Sequence, residues 1–223
     1  EKSKKINVSI TRDDIDDIVK LTPRAARSVA VSKDGKQIAF SSDRHGNFDV
    51  FVMPAEGGKA QRLTYNSVSE IPAAFTPDGK HVLFNAAIQQ QSHSMVFPTG
   101  AQPQVYKVAV SGGRPVQILG TPAEAICFTP DGKQMLYQDR KGFEDEFRKH
   151  HTSSVTRDIW LYDTKTATHK NLTSRGGEDR NPVLSPDGKT VYFLSERNGG
   201  SFNVYSFPID NAAAVSAVTT HTS

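Results

Sequence analysis

The tripeptide Asp-Gly-Lys occurs four times, at Asp34-Gly35-Lys36, Asp78-Gly79-Lys80, Asp131-Gly132-Lys133 and Asp187-Gly188-Lys189. Each copy lies between two short apolar runs, and proline precedes three of them as Pro77, Pro130 and Pro186. Proline presets one backbone torsion and glycine accepts a positive one, so each string reads as a tight hairpin turn joining two strands. Two further landmarks follow every copy in the same order. An aromatic sits in an alternating strand, as Phe51, Tyr106, Trp160 and Tyr205; Leu-Thr or its equivalent comes next, at Leu63, Leu119, Leu172 and Val218.

Nearly all the length variation of this unit falls in one joint. The aromatic and the third landmark are 12, 13, 12 and 13 residues apart, and the third landmark and the next aspartate 15, 12 and 15. From aspartate to aromatic the distances are 17, 28, 29 and 18. With strands a to d in each copy, the turn between a and b and the aromatic in c, the insertions all belong to the b–c connection. A meander of this kind buries its apolar faces only by stacking on neighbouring copies, which is the signature of a propeller blade. A β-sandwich would also supply short strands and turns, but it does not require three landmarks to recur in order four times.

The expected fold is therefore all-β: a β-propeller built from four-stranded antiparallel blades, four of them complete in this chain. Lead-in strands are expected at 1–22 and the propeller domain at 23–223, with blades at about 28–64, 71–120, 125–174 and 181–221. The stretch 12–19 is acidic and could form one helical turn, while no longer helical periodicity occurs. Trp160, at a strand-c landmark, is expected to be a buried aromatic.

Composition narrows the function classes. No run approaches the ~18 to 20 apolar residues of a membrane span, and the polar opening at 1–5 is not followed by the apolar core of a signal peptide. A soluble domain is expected, with periplasmic, secreted and cytoplasmic locations all open. The net charge is +3 and no block of five or more like charges occurs, so no nucleic-acid partner is expected. Cys127 is the only cysteine, which excludes an intrachain disulfide and a multi-thiolate metal site; within its apolar stretch it reads as a buried, inert thiol.

In an up-and-down blade the a–b and c–d turns share one end, and the b–c and d–a connections share the other. The variable connections at 43–47, 89–103, 140–157 and 196–201 are thus expected at one end, and long loops on a rigid scaffold are where recognition resides. The richest stretch, 139–158, places Glu144, Asp145, Glu146, Arg148, Lys149, His150 and His151 within eight positions and ends near Arg157. Adjacent histidines point apart on a strand and about 100° apart on a helix, and neither a His-Glu-x-x-His pattern nor a paired downstream ligand is present, so no metal site is expected. Exposed loop carboxylates are ordinarily solvated and make poor acid–base pairs. Ser153 and Ser154 lie beside the histidines, but no Gly-x-Ser-x-Gly elbow occurs anywhere. No catalytic residue and no cofactor is expected.

Two readings of that loop stay open, structural salt bridging and contact with a peptide or neighbouring domain. The short connections at 41–47 and 195–200 add Arg44, Glu196 and Arg197, for which turn stabilisation is the competing reading. The candidate peptide- or partner-binding set is Arg44, Glu144, Asp145, Arg148, His150, His151, Arg157, Glu196 and Arg197.

The units Val31-Ser-Lys-Asp-Gly-Lys-Gln-Ile-Ala-Phe40 and Leu184-Ser-Pro-Asp-Gly-Lys-Thr-Val-Tyr-Phe193, each followed by Ser-Asp-Arg or Ser-Glu-Arg, resemble the repeats of TolB-like propellers. The string from Lys141 to Trp160, then Gly177-Glu-Asp-Arg-Asn-Pro182, is similar to the amino-terminal propeller of tricorn-type proteases. The resemblance covers Phe48 to about Val218. It implies a propeller that guides peptides toward a separate serine-peptidase domain of a parent protein, with no catalytic residue to carry over. A TolB-like propeller that docks a protein partner in the cell envelope is the alternative it leaves. Residues 5–21 look instead like the lead into a second propeller of such proteins, and four blades are fewer than the six or seven this family implies. Four-blade propellers exist, so either the chain closes into a tight four-blade ring or, as an incomplete ring, it exposes apolar sheet faces and favours a homo-oligomer.

Overall fold

The computed structural model describes residues 26–88, 102–142, 155–198 and 201–222. The lead-in strands at 1–22, the helical turn at 12–19 and most of the connections 89–103 and 140–157 lie outside these residues.

Alternating apolar and polar residues on both sides of each turn give four antiparallel meanders. Blade 1 comprises β1 (Ala26–Val31), β2 (Gln37–Ser42), β3 (Asp49–Pro54) and β4 (Gln61–Arg62), paired in that order. Blade 2 follows with β5 (Glu70–Phe75), β6 (His81–Ala86), β7 (Gln104–Ala109) and β8 (Val116–Leu119). Blade 3 holds β9 (Ala123–Phe128), β10 (Gln134–Asp139), β11 (Ile159–Asp163) and β12 (Thr168–Asn171). Blade 4 holds β13 (Asp179–Leu184), β14 (Thr190–Ser195), β15 (Asn203–Pro208) and β16 (Ser216–Ala217). The chain is all-β, and its four sheets are propeller blades. It divides into two compact units, Glu1–Gly120 with blades 1 and 2 and Thr121–Ser223 with blades 3 and 4.

One hydrogen-bond scheme builds all four a–b turns, and it begins two residues before the aspartate. The hydroxyls of Ser32, Thr76, Thr129 and Ser185 donate to Asp34, Asp78, Asp131 and Asp187 at 2.7, 2.6, 2.7 and 2.6 Å. The same aspartate oxygen accepts the N–H of the following lysine at 3.0–3.1 Å. The hydroxyl oxygen in turn accepts the N–H of the first strand-b residue, at 2.9 Å from Gln37 and 3.1 Å from His81. The glycines adopt φ of 68–73°, the left-handed region that the turn requires. Donated hydrogen bonds, the hydroxyl first, hold these four carboxyls below the usual aspartate range.

The aromatic landmark has a partner in every blade. Phe40 pairs with Phe51, Phe84 with Tyr106, Tyr137 with Trp160 and Phe193 with Tyr205, directly across strands b and c. Their ring centroids lie 5.7, 5.7, 6.5 and 6.0 Å apart. Such cross-strand aromatic pairs stabilise a sheet beyond their buried area. Phe51, Tyr106 and Tyr205 are buried, but Trp160 is only half-buried, contrary to the expectation from sequence. An indole is larger than the rings at the other three positions, and the outer strand beside it is exposed along Thr168, His169 and Lys170.

The Leu-Thr landmark ties strand d to strand c. The Leu63, Leu172 and Val218 N–H groups donate to Val50, Ile159 and Val204 carbonyls, and Thr64, Thr173 and Thr219 hydroxyls accept the N–H of those same three residues at 2.8, 2.9 and 2.9 Å. This explains how strands d of only two residues, β4 and β16, still close their blades.

Within the first unit, Ala39, Val50, Val52 and Leu63 of blade 1 pack on Val82, Phe84, Tyr106 and Val108 of blade 2. Within the second, Leu136, Ile159, Leu161 and Leu172 of blade 3 pack on Val191, Phe193, Tyr205 and Phe207 of blade 4. Cys127 lies at the margin of this second core, half-buried, and burial pushes its thiol pKa up.

The a–b turns also pack within the second unit. A Cβ built on Gly188 would stand 2.4 Å from Pro130 Cδ, whereas one on Gly35 meets nothing within 4 Å. Gly188→Ala should therefore cost about 2–4 kcal/mol and Gly35→Ala only about 1–2, the left-handed penalty alone. Equal losses in denaturant midpoint for the two variants would show that the turns do not touch. In the first unit Lys33 stands where blade 3 has Pro130, and a cleft of about 390 Å³ opens between Lys33, Asp34 and Pro77-Asp78-Gly79.

Candidate functional site

The b–c and d–a connections leave each blade at one end, as the strand order of a meander requires. In the second unit that end carries a string of buried and half-buried charges. Lys141, at the start of connection 140–157, places Nζ 2.7 Å from Asp158 Oδ2 and 3.5 Å from Asp139 Oδ2, and it donates to the Thr156 carbonyl at 2.8 Å. Burial works against its charge, but the two carboxylates outweigh that and its pKa is raised. Asp139 also accepts the Asp158 N–H at 2.7 Å, and burial lifts its carboxyl above the ordinary range.

Arg157, at the other foot, is buried against Glu178: Nη1 lies 2.6 Å from Oε1, and its own N–H reaches Oε2 at 3.1 Å. Glu124 holds Arg140 at 2.6 Å and accepts from Gln138, whose Oε1 takes the Asn181 N–H. Glu196 accepts the Glu178 N–H at 3.2 Å. Arg175 and Arg197 both pair with fully buried Asp179, at 3.2 and 3.0 Å. The result is three groups of ion pairs and hydrogen bonds: one around Lys141 within blade 3, one around Arg157 and Glu124 that reaches Glu178, Asn181 and Glu196 toward blade 4, and one around Asp179; the first two hold the two feet of the long connection.

The first unit holds a smaller counterpart. Glu70 N–H donates to the Phe48 carbonyl, and Asn47 Nδ2 donates to the Asn66 and Val68 carbonyls at 2.8 Å each, joining blade 2 to blade 1. Asp49, fully buried, pairs with Arg62 at 2.7 Å, and Asn66 donates to Glu70, also fully buried. Burial raises both carboxyl pKa values; the Asp49 charge adds to the rise at Glu70, while Arg62 opposes it at both.

A carboxyl raised in the folded state keeps its proton over a window where the unfolded chain has lost its own, so stability falls as pH rises from about 4.3 toward that raised value. Glu70→Gln should flatten this decline and raise the melting temperature at pH 7. An unchanged pH slope in thermal unfolding between about pH 4.5 and 8 would show that Glu70 does not titrate in that window.

Of the nine candidate residues, Glu144, Asp145, Arg148, His150 and His151 lie outside the described residues. The other four are engaged within the blades. Arg44 Nε donates to Ser42 and its guanidinium covers Phe51 at 4.6 Å, while Arg197 repeats this on Ser195 and Phe193, at 5.0 Å from the ring. Arg157, Glu196 and Arg197 meet around Glu178 and Asp179; Arg44 belongs to the first unit. Sequence reading passed over Lys141, Asp139, Asp158, Glu178 and Asp179. One signal was available: an acid stands seven residues after the leucine landmark twice, as Glu70 and Asp179. Among the described residues no group of three or more His, Cys, Asp or Glu side chains could hold a metal ion.

Ser/Thr-x-Asp-Gly-Lys turns, a cross-strand aromatic pair and a Leu-Thr clasp in repeated meanders define a propeller of the TolB-like repeat class. The chain belongs to the tricorn protease N-terminal β-propeller domain family, whose model matches residues 18–223. Curated relatives include dipeptidyl-peptidase 5 of Porphyromonas endodontalis, 28% identical across 75% of this chain and 23% of its own length. A TolB homolog of Chlorobium chlorochromatii is 26% identical across 73% of this chain and 32% of its own. An uncharacterized peptidase, YuxL, of Bacillus subtilis is 26% identical across 73% and 20%. The chain thus spans about a fifth to a third of the length of these relatives. Solved structures of the same fold include a putative TolB from Agrobacterium tumefaciens, with TM-score 0.66 and 22% identity over 90% of this chain and 64% of that one. The tricorn protease gives TM-score 0.53 and 17% identity over 82% and 18%.

Proposed function

We propose that this chain is a non-catalytic propeller module that binds peptide or protein segments at the b–c end of its blades and serves a peptidase domain of a parent protein. The observation that supports this reading is the clamping of connection 140–157 at both feet, by Lys141 and by Arg157, on either side in sequence of a segment dense in charge and histidine. Fixing the two ends of a long insertion lowers the ordering cost of binding through it. Membership of a family named for a protease propeller supports a peptide as the partner class. Within the proposal, Glu144, Asp145, Arg148, His150 and His151 make the contacts, and the buried Arg157 positions them.

The test replaces residues 143–154 by a short Gly-Ser linker and measures binding of fluorescein-labelled peptides of about ten residues by anisotropy, with more than tenfold weaker binding and an intact fold expected. His150→Ala with His151→Ala should likewise leave folding intact. Binding that is unchanged by the linker, or absent in the parent chain, would overturn the proposal.

The TolB relatives favour a second reading, a propeller that docks one folded protein partner in the cell envelope. Recovery of a single stoichiometric partner, with no affinity for short peptides, would select it.

A further inference from the structure

Within each unit, three positions of the repeat belong to the b–c end where one blade packs on the next. They lie seven residues before the turn aspartate, three before the aromatic landmark and six after the leucine landmark. In the second unit these positions hold Glu124, Arg157 and Glu178. There they form a closed set, because Arg157 lies 3.8 Å from Glu124 and 2.6 Å from Glu178, with Arg157 and Glu178 both buried. In the first unit the same positions hold Arg27, Phe48 and Ser69. The Arg27 guanidinium lies over the Phe48 ring, 3.6 Å from its centroid. The cation has thus moved from the foot of strand c to strand a, with a phenyl face as its support. Where blade 4 supplies a carboxylate, blade 2 presents the exposed hydroxyl residue Ser69. Among the described residues Arg27 has no carboxylate partner.

Stacking engages the flat face of a guanidinium and leaves its N–H donors, which lie in the plane, for an acceptor at the edge. A carboxylate matches that edge with two parallel hydrogen bonds. The backbone on both sides is fixed: the Arg27 carbonyl accepts the Ser41 hydroxyl at 2.9 Å, and the Phe48 carbonyl accepts the Glu70 N–H at 2.7 Å. Arg27 is exposed, so its donors are open to a group arriving from solvent. The second unit shows what such a guanidinium pairs with at this place in the repeat, the side chain of a glutamate. We propose that Arg27, held on Phe48, is a subsite for the side-chain carboxylate of an aspartate or glutamate in a bound segment, the group that Glu178 supplies internally in the second unit. The short side chain of Ser69 leaves room for it. The subsite rests on the reading that segments bind at the b–c end, and it adds an acidic residue to what such a segment carries.

The test uses matched, C-terminally amidated, fluorescein-labelled peptides of about ten residues that differ only in one central Glu or Gln, with anisotropy of the full chain at about 50 mM salt. The Glu peptide should bind at least about tenfold more tightly than its Gln twin. Arg27→Gln should bring the two within about twofold. Ser69→Glu, which restores the carboxylate of the second unit and so occupies the guanidinium from within, should do the same. Ser67→Glu adds the same charge at an exposed residue outside the three positions and should keep the preference. Equal binding of both peptides by the parent chain overturns the subsite and leaves the proposed function standing, whereas binding of neither overturns both. A preference that survives Ser69→Glu, or that Ser67→Glu abolishes equally, also overturns the subsite. So does a chain indifferent to Glu or Gln in which Arg27→Gln weakens only peptides with a free C-terminal carboxylate. Ser69→Glu decides the matter if Arg27→Gln fails to fold.

Discussion

Arg157→Ala is expected to lower the unfolding free energy by about 3–5 kcal/mol, the cost of leaving a buried charge without its partner. Arg157 and Glu178 have side-chain exposures of 8% and 9%, and the guanidinium also faces Glu124 at 3.8 Å. Removing it strands Glu178 between blades 3 and 4 and frees one foot of connection 140–157. Chemical denaturation gives the stability loss, and proteolysis within 143–154 reports the freed loop. Glu178→Gln is the milder variant, because its single amide oxygen can still accept from either the Arg157 backbone or its side chain, though not from both as the two carboxylate oxygens do. A loss below about 1 kcal/mol for Arg157→Ala would mean that the pair is solvated like a surface salt bridge.

Phe193→Ala is expected to cost a similar ~3–5 kcal/mol through the cavity it leaves. Its ring is 2% exposed and lies 6.0 Å from Tyr205 and 5.3 Å from Phe207, in the core between blades 3 and 4. Trp160→Ala, at the landmark itself, should cost only roughly 1–2 kcal/mol, because the indole is already partly in water. Equilibrium unfolding of both variants distinguishes them. The reverse order would place the second unit's core around Trp160 and not around the strand-b ring of blade 4.

That contrast shows how far the sequence could be read. Blade architecture was legible because each landmark does a separate backbone job: Gly35 and its counterparts supply the left-handed torsion, Thr64 and its counterparts clasp strand d. The hydroxyl two residues before each aspartate was visible too, in Ser32, Thr76, Thr129 and Ser185, but its part in the turn appears only with the hydrogen bonds. Trp160 illustrates the opposite case. Its strand and register are fixed by pattern, yet its burial depends on what lies beside it on β12. The charged end was the least legible. Arg44 and Arg197 look like ligand-binding residues in a loop, and the aromatic rings that hold them come from strands b and c of the same blade. Arg157 pairs with Glu178, 21 residues on, and no local spacing rule connects the two.

The confinement of the a–b turns to one end of each blade has a consequence for how such a chain can change. Each turn satisfies its polar groups from six consecutive residues and, at the lysine carbonyl, from the c–d turn at the same end of the blade, so it neither needs nor senses the length of the chain emerging from the far side. Segments can be lengthened, shortened or exchanged at that far side while the closing chemistry stays fixed. Variation is channelled to one extremity of each blade, and a foreign epitope grafted between β6 and β7 would inherit a rigid mount without any redesign of the hairpins beneath it.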